Sequence, residues 1–521
     1  MKIPLTPIRC LHRAVDLYGH KEAVICSGKR FTYAEFGERC QKLASALNAA
    51  GIGLSDRVGF IGLNTHRLLE GYFGVPQSRA MLMPLNVRLT PPELAQILRH
   101  SEPSLLFYEN DFAPLVTELR KAAPTLRTIN LDTEYEDFLA GGKSEHADIL
   151  SYDEESIAEL FYTSGSTGTP KGVMLSHRTI YLHALAVAGA FYNDGSDVEL
   201  HTIPLFHANG WGRVQCATMI GLKQVMLRRF DPATVCRLIQ EERVTGMSLV
   251  PTMANALLAV PDLEKYDFSS TKQIMIGGSA SSPQLIEKME KVFHCEVLAG
   301  YGLTETAPVA SVARHKDTVV FADEDDRYAH QAMAGWPLPG TEVRVVDGEM
   351  HDVARDMTAI GEVVVRGDNV MDGYFREPEA TRAIMSGAWF HTGDMAVWDT
   401  ESFIQIVDRR KDIIITGGEN VSSIEVENVL AAHPAVAEIA VVSAPDPTWG
   451  EIPVAIVMLK PGMAATEKEL HEFAGKRLAK FKLPRRFEFS ADPLPKGGTG
   501  KILKRQLREK YWQHEERRVR G

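Results

Sequence analysis

The sequence predicts an α/β protein with a large N-terminal domain of parallel-sheet subdomains, a small β-barrel-like subdomain, and a mobile small α+β domain at the C-terminal end. The chain has 521 residues, whereas single hydrophobic cores stop growing near roughly 250–300 residues. Short apolar runs alternate with helical patterns over most of the chain, and the pattern changes to a two-residue period at residues 340–407. We therefore expect a large domain at 1–407, a hinge at 408–412 and a small domain at 413–521.

The first region begins with alternating strands and helices. Residues 23–26 and 57–62 are apolar runs of strand length. Thr32 can cap a helix in which Glu35 follows three residues later, the spacing of a capping box. This alternation is typical of α/β proteins with parallel strands.

The same alternation resumes after residue 200. We predict strands at residues 199–204, 246–251 and 272–278, and a helix at 232–241. Residues 343–347 and 361–367 instead alternate at period two between turn residues, which predicts a small antiparallel unit. The charged run at 408–412 follows a break in composition. It is typical either of solvated surface or of a hinge.

Composition excludes some functions and leaves others open. The formal net charge of −11 argues against general nucleic-acid binding but not against a phosphorylated ligand. The six cysteines contain no Cys-x-x-Cys pair, which favours a reducing compartment. The sequence shows neither a secretory h-region nor a run of about 20 apolar residues. A cytoplasmic location without a transmembrane segment is therefore expected, and a homodimer is left open.

Residues 162–173 carry the sharpest chemical signal. They read Tyr-Thr-Ser-Gly-Ser-Thr-Gly-Thr-Pro-Lys-Gly-Val after an apolar strand at 157–161, and we interpret them as a mobile loop whose backbone amides and lysine bind phosphate. A plain Ser/Thr/Gly linker is the alternative. The loop does not fit the Walker pattern, and neither does Gly-Gly-Thr-Gly-Lys at 497–501.

The segment at residues 162–173, together with five later segments and the charged stretch after residue 407, resembles the acyl-adenylate-forming superfamily of acyl-CoA synthetases, luciferases and peptide-synthetase adenylation domains. The matching segments follow the family's order and cover nearly the whole chain. They are residues 162–173, 204–212, 277–280, 300–305, 391–394, 408–421 and 495–501.

The resemblance implies an ATP site. The phosphate residues would be Thr163, Ser164, Gly165, Ser166, Thr167, Gly168 and Lys171. The adenine slot would be lined by Gly278, Ser279, Ala280, Gly300, Tyr301 and Gly302, followed by Thr304. Glu305, with Thr167, would hold Mg²⁺. Asp394, which we expect in a turn at residues 391–394, would bind the ribose together with Arg409.

The resemblance also implies a two-step mechanism. Lys501, with Lys171, Glu305 and His207, would serve adenylate formation. Rotation about Lys411 would then withdraw Lys501 and present Gly417 and Gly418 to the pantetheine arm of coenzyme A. His207, Trp211, Gly278 and Gly302 would line the acyl pocket, although Trp211 alone is as typical of ordinary core packing.

The expected function is an ATP-dependent carboxylate–CoA ligase acting on medium- or long-chain fatty acids. It would use ATP, Mg²⁺ and coenzyme A, and its partners would be small molecules rather than nucleic acid. Aryl, branched or thioether acids, or a stand-alone enzyme loading a carrier protein, are the alternatives. A luciferase-like oxygenase and a non-catalytic nucleotide-binding protein are the rivals from other classes.

Overall fold

A computed structural model describes residues 2–164, 170–191, 194–416, 419–496 and 502–512. The chain divides into two compact units. Unit 1 comprises residues 1–343 and 365–390, and unit 2 comprises residues 344–364 and 391–521. The hinge predicted at 408–412, and the domain boundary expected there, stay predictions.

The strands and helices are numbered in chain order. The strands are β1 (Glu22–Cys26), β2 (Lys29–Thr32), β3 (Arg57–Ile61), β4 (Met81–Pro84), β5 (Leu105–Tyr108), β6 (Thr128–Asn130), β7 (Ile157–Ser164), β8 (Pro170–Ser176), β9 (Val198–His201), β10 (Lys223–Met226), β11 (Gly246–Leu249), β12 (Gln273–Ile276), β13 (Glu296–Gly302), β14 (Val309–Val312), β15 (Trp336–Pro337), β16 (Thr341–Val346), β17 (Gly361–Gly367), β18 (Gly373–Tyr374), β19 (Met385–Ser386), β20 (Trp389–Trp398), β21 (Ile404–Arg409), β22 (Ile414–Thr416), β23 (Glu419–Val421), β24 (Val436–Asp446), β25 (Gly450–Leu459) and β26 (Arg486–Ser490). The helical segments are α1 (Ile8–Tyr18), α2 (Tyr33–Ala49), α3 (His66–Gln77), α4 (Pro91–Ser101), α5 (Ala113–Ala122), α6 (Tyr135–Ala140), α7 (His177–Phe191), α8 (Ala208–Trp211), α9 (Arg213–Ile220), α10 (Pro232–Glu242), α11 (Pro251–Leu258), α12 (Pro283–Phe293), α13 (Glu324–Gln331), α14 (Pro378–Ala383), α15 (Ser423–Ala431), α16 (Glu467–Gly475) and α17 (Lys504–Trp512).

Two sheets of unit 1 have parallel centres, as predicted. The first has the order β15-β14-β13-β12-β11-β9-β10-β1-β2 and the second the order β18-β8-β7-β4-β3-β5-β6. In the first sheet β1, β10, β9, β11, β12 and β13 run parallel. Antiparallel strands extend both sheets, with β14 joining β13 and β8 joining β7. The α/β prediction is therefore confirmed.

The remaining sheets follow later in the chain. One has the order β16-β17-β20-β19 with β21 beside β20, and the other has the order β23-β22-β25-β24 with β26 beside β25. The second lies in unit 2, where its apolar face packs with α15 and α16 around Val441, Val457 and Leu470. This arrangement confirms the small α+β unit at the C-terminal end.

The helix predicted after Thr32 forms as expected. Glu35 N–H donates to Thr32 Oγ1 (3.3 Å), and Thr32 N–H donates to Glu35 Oε2 (2.7 Å). These reciprocal bonds satisfy two amides that α2 would otherwise leave without partners. The cap fixes where α2 begins after β2.

Three local predictions were wrong. Residues 162–173 do not form one loop, because β7 extends to Ser164 and β8 begins at Pro170, with Thr163 opposite Lys171. Asp394 lies within β20 rather than in a turn. Of the two alternatives for residues 408–412, solvated surface is wrong for Asp408, which is buried and accepts hydrogen bonds from Ser423 N–H and Oγ–H, both at 2.6 Å. In each case pairing with a distant segment outweighs the local signal of glycine or charge.

Candidate functional site

The carboxyl edge of the first sheet gathers several predicted residues. Gly278, Ser279 and Ala280 follow β12 and are exposed, and Gly300 to Gly302 end the adjacent parallel strand β13. In open parallel sheets, ligands bind beyond the carboxyl ends of the strands. These two strand ends therefore form one face suited to a flat ligand, with Tyr301 at its border.

Glycine is required here by close packing. A Cβ atom on Gly302 would lie 1.8 Å from the carbonyl oxygen of Pro308, and one on Gly300 would lie 3.0 Å from Met275 Sδ. Gly278 has φ +77°, a conformation that other residues rarely adopt. The backbone can thus turn away from β12 and leave the strand edge open.

Glu305 and Lys171 are brought together by a residue that the sequence analysis did not identify. Tyr374 Oη–H donates to Glu305 Oε1 at 2.9 Å, and the Lys171 ammonium lies 4.8 Å from the centre of the Tyr374 ring. Burial, reinforced by the Glu305 carboxylate, raises the pKa of the Tyr374 hydroxyl. The hydroxyl therefore stays protonated and keeps donating to Glu305.

Backbone pairing places Tyr374 beside Glu305 and Lys171. The short strand β18 pairs with β8, so Tyr374 lies opposite Val173, and Phe375 N–H donates to the Gly172 carbonyl at 2.7 Å. The last residue of β8, Ser176, and the first of β18, Gly373, are 197 positions apart, and β18 has only two residues. No periodicity can reveal so short a strand; a Gly-Tyr pair before a helix start was the only signal.

The Glu305 carboxylate has the chemistry of a magnesium ligand. It offers hard oxygen atoms beside Thr304, and Mg²⁺ binds readily through one or two carboxylates plus the phosphates of a substrate. The residues thus fit the predicted ion. No group of three or more His, Cys, Asp or Glu side chains arranged around a common point is found among the described residues.

The remaining predicted residues divide into those that the structure describes and those outside the described residues. Thr163 lies on β7 opposite Lys171, and Ser164 ends that strand. Gly165, Ser166, Thr167, Gly168, Gly417, Gly418 and Lys501 lie outside the described residues. His207 is half-buried at the entrance to α8, where its N–H donates to the Pro204 carbonyl at 3.0 Å.

The segment that carries Trp211 has an unusual backbone. Residues 208–212 have consecutive φ values of +45°, +42°, +59°, +61° and +74°, so α8 is a left-handed turn. For L-residues this conformation costs roughly 1–2 kcal/mol each and normally occurs singly. Three of the five residues, Ala208, Asn209 and Trp211, are not glycine, so surrounding contacts must hold the turn.

The turn presses the Trp211 indole onto the end of β12. A Cβ atom on Gly277 would lie 3.3 Å from Trp211 Cζ3, and one on Gly278 would lie 3.3 Å from Cζ2. Trp211 is only 7% exposed. The indole therefore packs against the two glycines, of which Gly278 stays exposed, at the edge where the predicted acyl pocket begins.

A buried carboxyl group lies beneath the turn. Glu159 on β7 is fully buried, accepts from Gln215 Nε2 at 2.7 Å, and accepts from Asn209 Nδ2 at 3.4 Å. Burial raises the pKa of Glu159 from its ordinary value of 4.5 to about 8, and the two amide hydrogen bonds oppose that rise. Glu159 was not predicted as a site residue, because an acid inside an apolar strand gives no sign of its neighbours.

This pKa predicts how stability depends on pH. Since the folded protein binds the Glu159 proton more tightly than the unfolded chain, its stabilising contribution is full below pH 4.5 and is lost as the pH rises towards 8, by at most about 1.4 kcal/mol per pH unit. Glu159→Gln removes this titration. We expect the unfolding temperature of the wild type, relative to that variant, to fall between pH 5 and 8. Parallel profiles for the two proteins would contradict the assignment.

In unit 2 the predicted ribose residues form an ion pair. Asp394 on β20 lies opposite Arg409 on β21, and Arg409 Nε is 2.7 Å from Asp394 Oδ1. The Asp394 side chain is 5% exposed and that of Arg409 is 45% exposed. The arginine therefore presents its outer surface to solvent while it orients a nearly buried carboxylate.

Helix α17 holds the predicted hinge segment. Arg508 Nη1 donates to the Lys411 carbonyl (2.8 Å) and to Asp412 Oδ1 (2.7 Å). One turn earlier, Lys504 Nζ lies 2.8 Å from Glu427 and donates to Ser423 Oγ at 2.6 Å. Burial lowers the pKa of the Lys411 ammonium, an effect that Asp412 opposes. The first described turns after residue 501 are thus tied to residues 411 and 412.

No helix among the described residues is both long and apolar enough to cross a bilayer. All six cysteines are free thiols, and only Cys295 is not fully buried.

Comparison with known proteins gives a consistent result over nearly the whole chain. Residues 11–375 match the model described as AMP-binding enzyme, and residues 425–501 match its C-terminal domain. The chain is 40% identical over 515 residues to a long-chain-fatty-acid–CoA ligase of Thermus thermophilus, covering 96% of this chain and 94% of the relative. It is 37% identical to a fatty acid–[acyl-carrier-protein] ligase of Streptomyces coeruleorubidus, covering 95% of each. The crystal structure of an anthranilate CoA ligase with anthranoyl-AMP superimposes with a TM-score of 0.88 at 25% identity, covering 98% of each chain.

Proposed function

This chain belongs to the AMP-binding enzyme family and is an AMP-forming acyl-CoA synthetase, and on that premise we propose that its substrate is a medium- or long-chain fatty acid. ATP and coenzyme A are its co-substrates. The proposed reaction has two steps. The acid oxygen attacks the α-phosphorus of ATP and releases pyrophosphate; the coenzyme A thiol then attacks the acyl carbon and releases AMP and a proton.

Charge neutralisation supports the first step. Lys171 and Lys501 would offset negative charge on the phosphates as pyrophosphate leaves, and Glu305 would hold the Mg²⁺ that binds them. Thr163, Ser164, Gly165, Ser166, Thr167 and Gly168 would supply the remaining phosphate donors. Tyr374 supports these roles, because it orients Glu305 by a hydrogen bond and Lys171 by ring contact.

The nucleoside would be recognised by two separate groups of residues. The strand ends at Gly278 and Gly300, with Tyr301 and Gly302, offer a face for adenine. The Asp394 carboxylate can accept hydrogen bonds from ribose hydroxyls, and Arg409 orients it at 2.7 Å. Each group is assigned from its own geometry and from the family resemblance.

The second step would use the same C-terminal region differently. Rotation about Lys411 would withdraw Lys501 and present Gly417 and Gly418 to the pantetheine arm. The support is that α17 anchors to residues 411 and 412, so the chain that follows Lys501 would move with the hinge.

The proposal that the substrate is an apolar acid rests on the residues that would line the acyl pocket. Trp211 packs on Gly277 and Gly278, surfaces suited to an alkyl chain, and His207 would lie near the carboxylate. Glu159 is the nearby buried acid, but two amides occupy its oxygens, so it does not offer a carboxylate to the ammonium of an amino acid. The Thermus relative, named for long-chain fatty acids, agrees with this choice.

Two of the relatives support alternatives to coenzyme A as the acceptor and to a fatty acid as the substrate. The carrier-protein ligase among the relatives keeps a carrier thiol as the second acceptor candidate, and the anthranilate ligase keeps aryl acids as the second substrate class. A cytoplasmic location and a homodimer also belong to the proposal. The free cysteines agree with a reducing compartment.

A competition assay tests the substrate. Purified protein receives Mg-ATP, coenzyme A and equal amounts of straight-chain, branched, aryl and thioether acids, and the thioesters are identified by mass. We expect straight-chain medium or long acyl-CoA together with AMP. An aryl, branched or thioether product would show that the proposed substrate is wrong. An activated acyl group trapped only by hydroxylamine would show that coenzyme A is not the acceptor, and a carrier protein would then be the acceptor.

A further inference from the structure

Three side chains hold the left-handed turn at residues 208–212, namely Asn209 within the turn and Glu159 and Gln215 outside it. Asn209 Oδ1 accepts from Gly212 N–H at 2.5 Å, which closes the turn on itself. The Asn209 Nδ2 amide then faces Glu159 Oε2 at 3.4 Å, and Gln215 from α9 binds the other oxygen, Oε1, at 2.7 Å. Glu159 therefore joins the turn to the helix that follows it.

The orientation of Asn209 is fixed by these bonds. Its oxygen is engaged by a backbone N–H, which can only donate, so its nitrogen must face Glu159. An acceptor is thus required at position 159. An apolar side chain there would leave the buried Asn209 amide without its partner.

Packing restricts the turn from the other side. A Cβ atom on Gly212 would lie 2.2 Å from the His183 ring, and His183 Nε2 accepts from Val309 N–H at 3.1 Å. His183 on α7 and Glu159 on β7 thus confine the two ends of the same five residues. In this arrangement the Trp211 indole lies against Gly277 and Gly278.

We propose that Glu159 is a positioning residue for the acyl pocket: its carboxyl oxygen holds Asn209, Asn209 holds the left-handed turn, and the turn sets where the Trp211 indole closes the pocket. This inference rests on the proposed function, because it assumes that the acid lies against Trp211. It adds a residue outside all the matched motifs. Glu159 touches neither the substrate nor the reacting atoms.

Matched variants separate this role from general stability. Glu159→Leu removes the acceptor. Glu159→Gln retains it, because the new amide oxygen can accept from Asn209 while its nitrogen donates to a rotated Gln215 amide. Thr218→Val is the control, since it removes a different buried hydrogen bond on α9, from Gln224 Nε2 at 3.0 Å.

The first measurement does not depend on activity. The protein is labelled with 5-fluorotryptophan, and Trp211→Phe identifies one of the six tryptophan signals in the ¹⁹F NMR spectrum. We expect Glu159→Leu to shift or broaden the Trp211 signal and Glu159→Gln and Thr218→Val to leave it unchanged. An unchanged signal in Glu159→Leu, or an equal change in Thr218→Val or Glu159→Gln, would overturn the proposal.

The second measurement compares KM values. In Glu159→Leu we expect the KM for the fatty acid to rise about tenfold while the KM for ATP and kcat stay near wild type, and we expect Glu159→Gln to restore the acid KM. Equal rises in both KM values would refute a role at the acyl pocket. If the wild type ligates no fatty acid, the proposed function fails, and the ¹⁹F spectra still decide whether Glu159 positions Trp211.

Discussion

Lys501→Ala is expected to slow acyl-adenylate formation by about 10²–10³-fold, because the proposed role of the ammonium is to stabilise charge as the carboxylate attacks phosphorus and pyrophosphate leaves. Thioester formation from a supplied acyl-adenylate should be spared, because Lys501 would be withdrawn before that step. Pyrophosphate release measures the first half-reaction, and consumption of synthetic acyl-adenylate with coenzyme A measures the second.

The chain on both sides of residues 497–501 is held in place by hydrogen bonds. Lys496 and Ile502, which flank residues 497–501, pair in an antiparallel bridge, and α17 ties the following chain to Lys411. Lys468→Ala, which removes an exposed lysine from α16, is the control and should leave both half-reactions unchanged. Equal losses in the two half-reactions of Lys501→Ala would exclude the assigned role.

Glu305→Gln is expected to lower the rate of adenylate formation by about 10²-fold and to raise the Mg²⁺ concentration needed for half-maximal rate. The substitution keeps the shape of the side chain and can still accept from Tyr374, but it removes the negative charge that a divalent cation requires. Titration of Mg²⁺ at fixed ATP, with EDTA-treated enzyme as the zero point, measures both effects.

Tyr374→Phe separates orientation from charge. It deletes the 2.9 Å hydrogen bond to Glu305 but retains the ring beneath Lys171, so we expect the rate of adenylate formation to fall by only about tenfold.

For Glu305→Gln, the matched control is Glu287→Gln, which removes a carboxylate from an exposed ion pair with Lys291 on α12. A wild-type Mg²⁺ dependence in Glu305→Gln would remove Glu305 from the metal site.

The sequence predicted the elements where a local signal was strong. The capping box at Thr32 and Glu35 predicted the start of α2, and the apolar runs predicted β3, β11 and β12 within a few residues. Six ordered motifs and the charged stretch that continues past residue 408 led to the superfamily, which the family models confirm over residues 11–375 and 425–501.

Local signals failed where distant segments pair. Glycine and hydroxyl residues at 162–173 indicated a loop, yet β7 and β8 form a ladder that brings Lys171 opposite Thr163. The charged run at 408–412 left solvated surface open as one alternative, yet Ser423 binds Asp408 inside unit 2. The energy of these contacts comes from partners that the local sequence does not contain.

The sequence by itself determined the fold class, the family and which residue types are available for phosphate, metal and acyl chemistry, because these depend on patterns and motifs along the chain. Only the tertiary structure revealed Tyr374 between Glu305 and Lys171, and Glu159 beneath the turn of Trp211. Both residues act through partners 50 or more positions away. Such contacts are made by the packing of strands and helices, and no spacing along the chain encodes them.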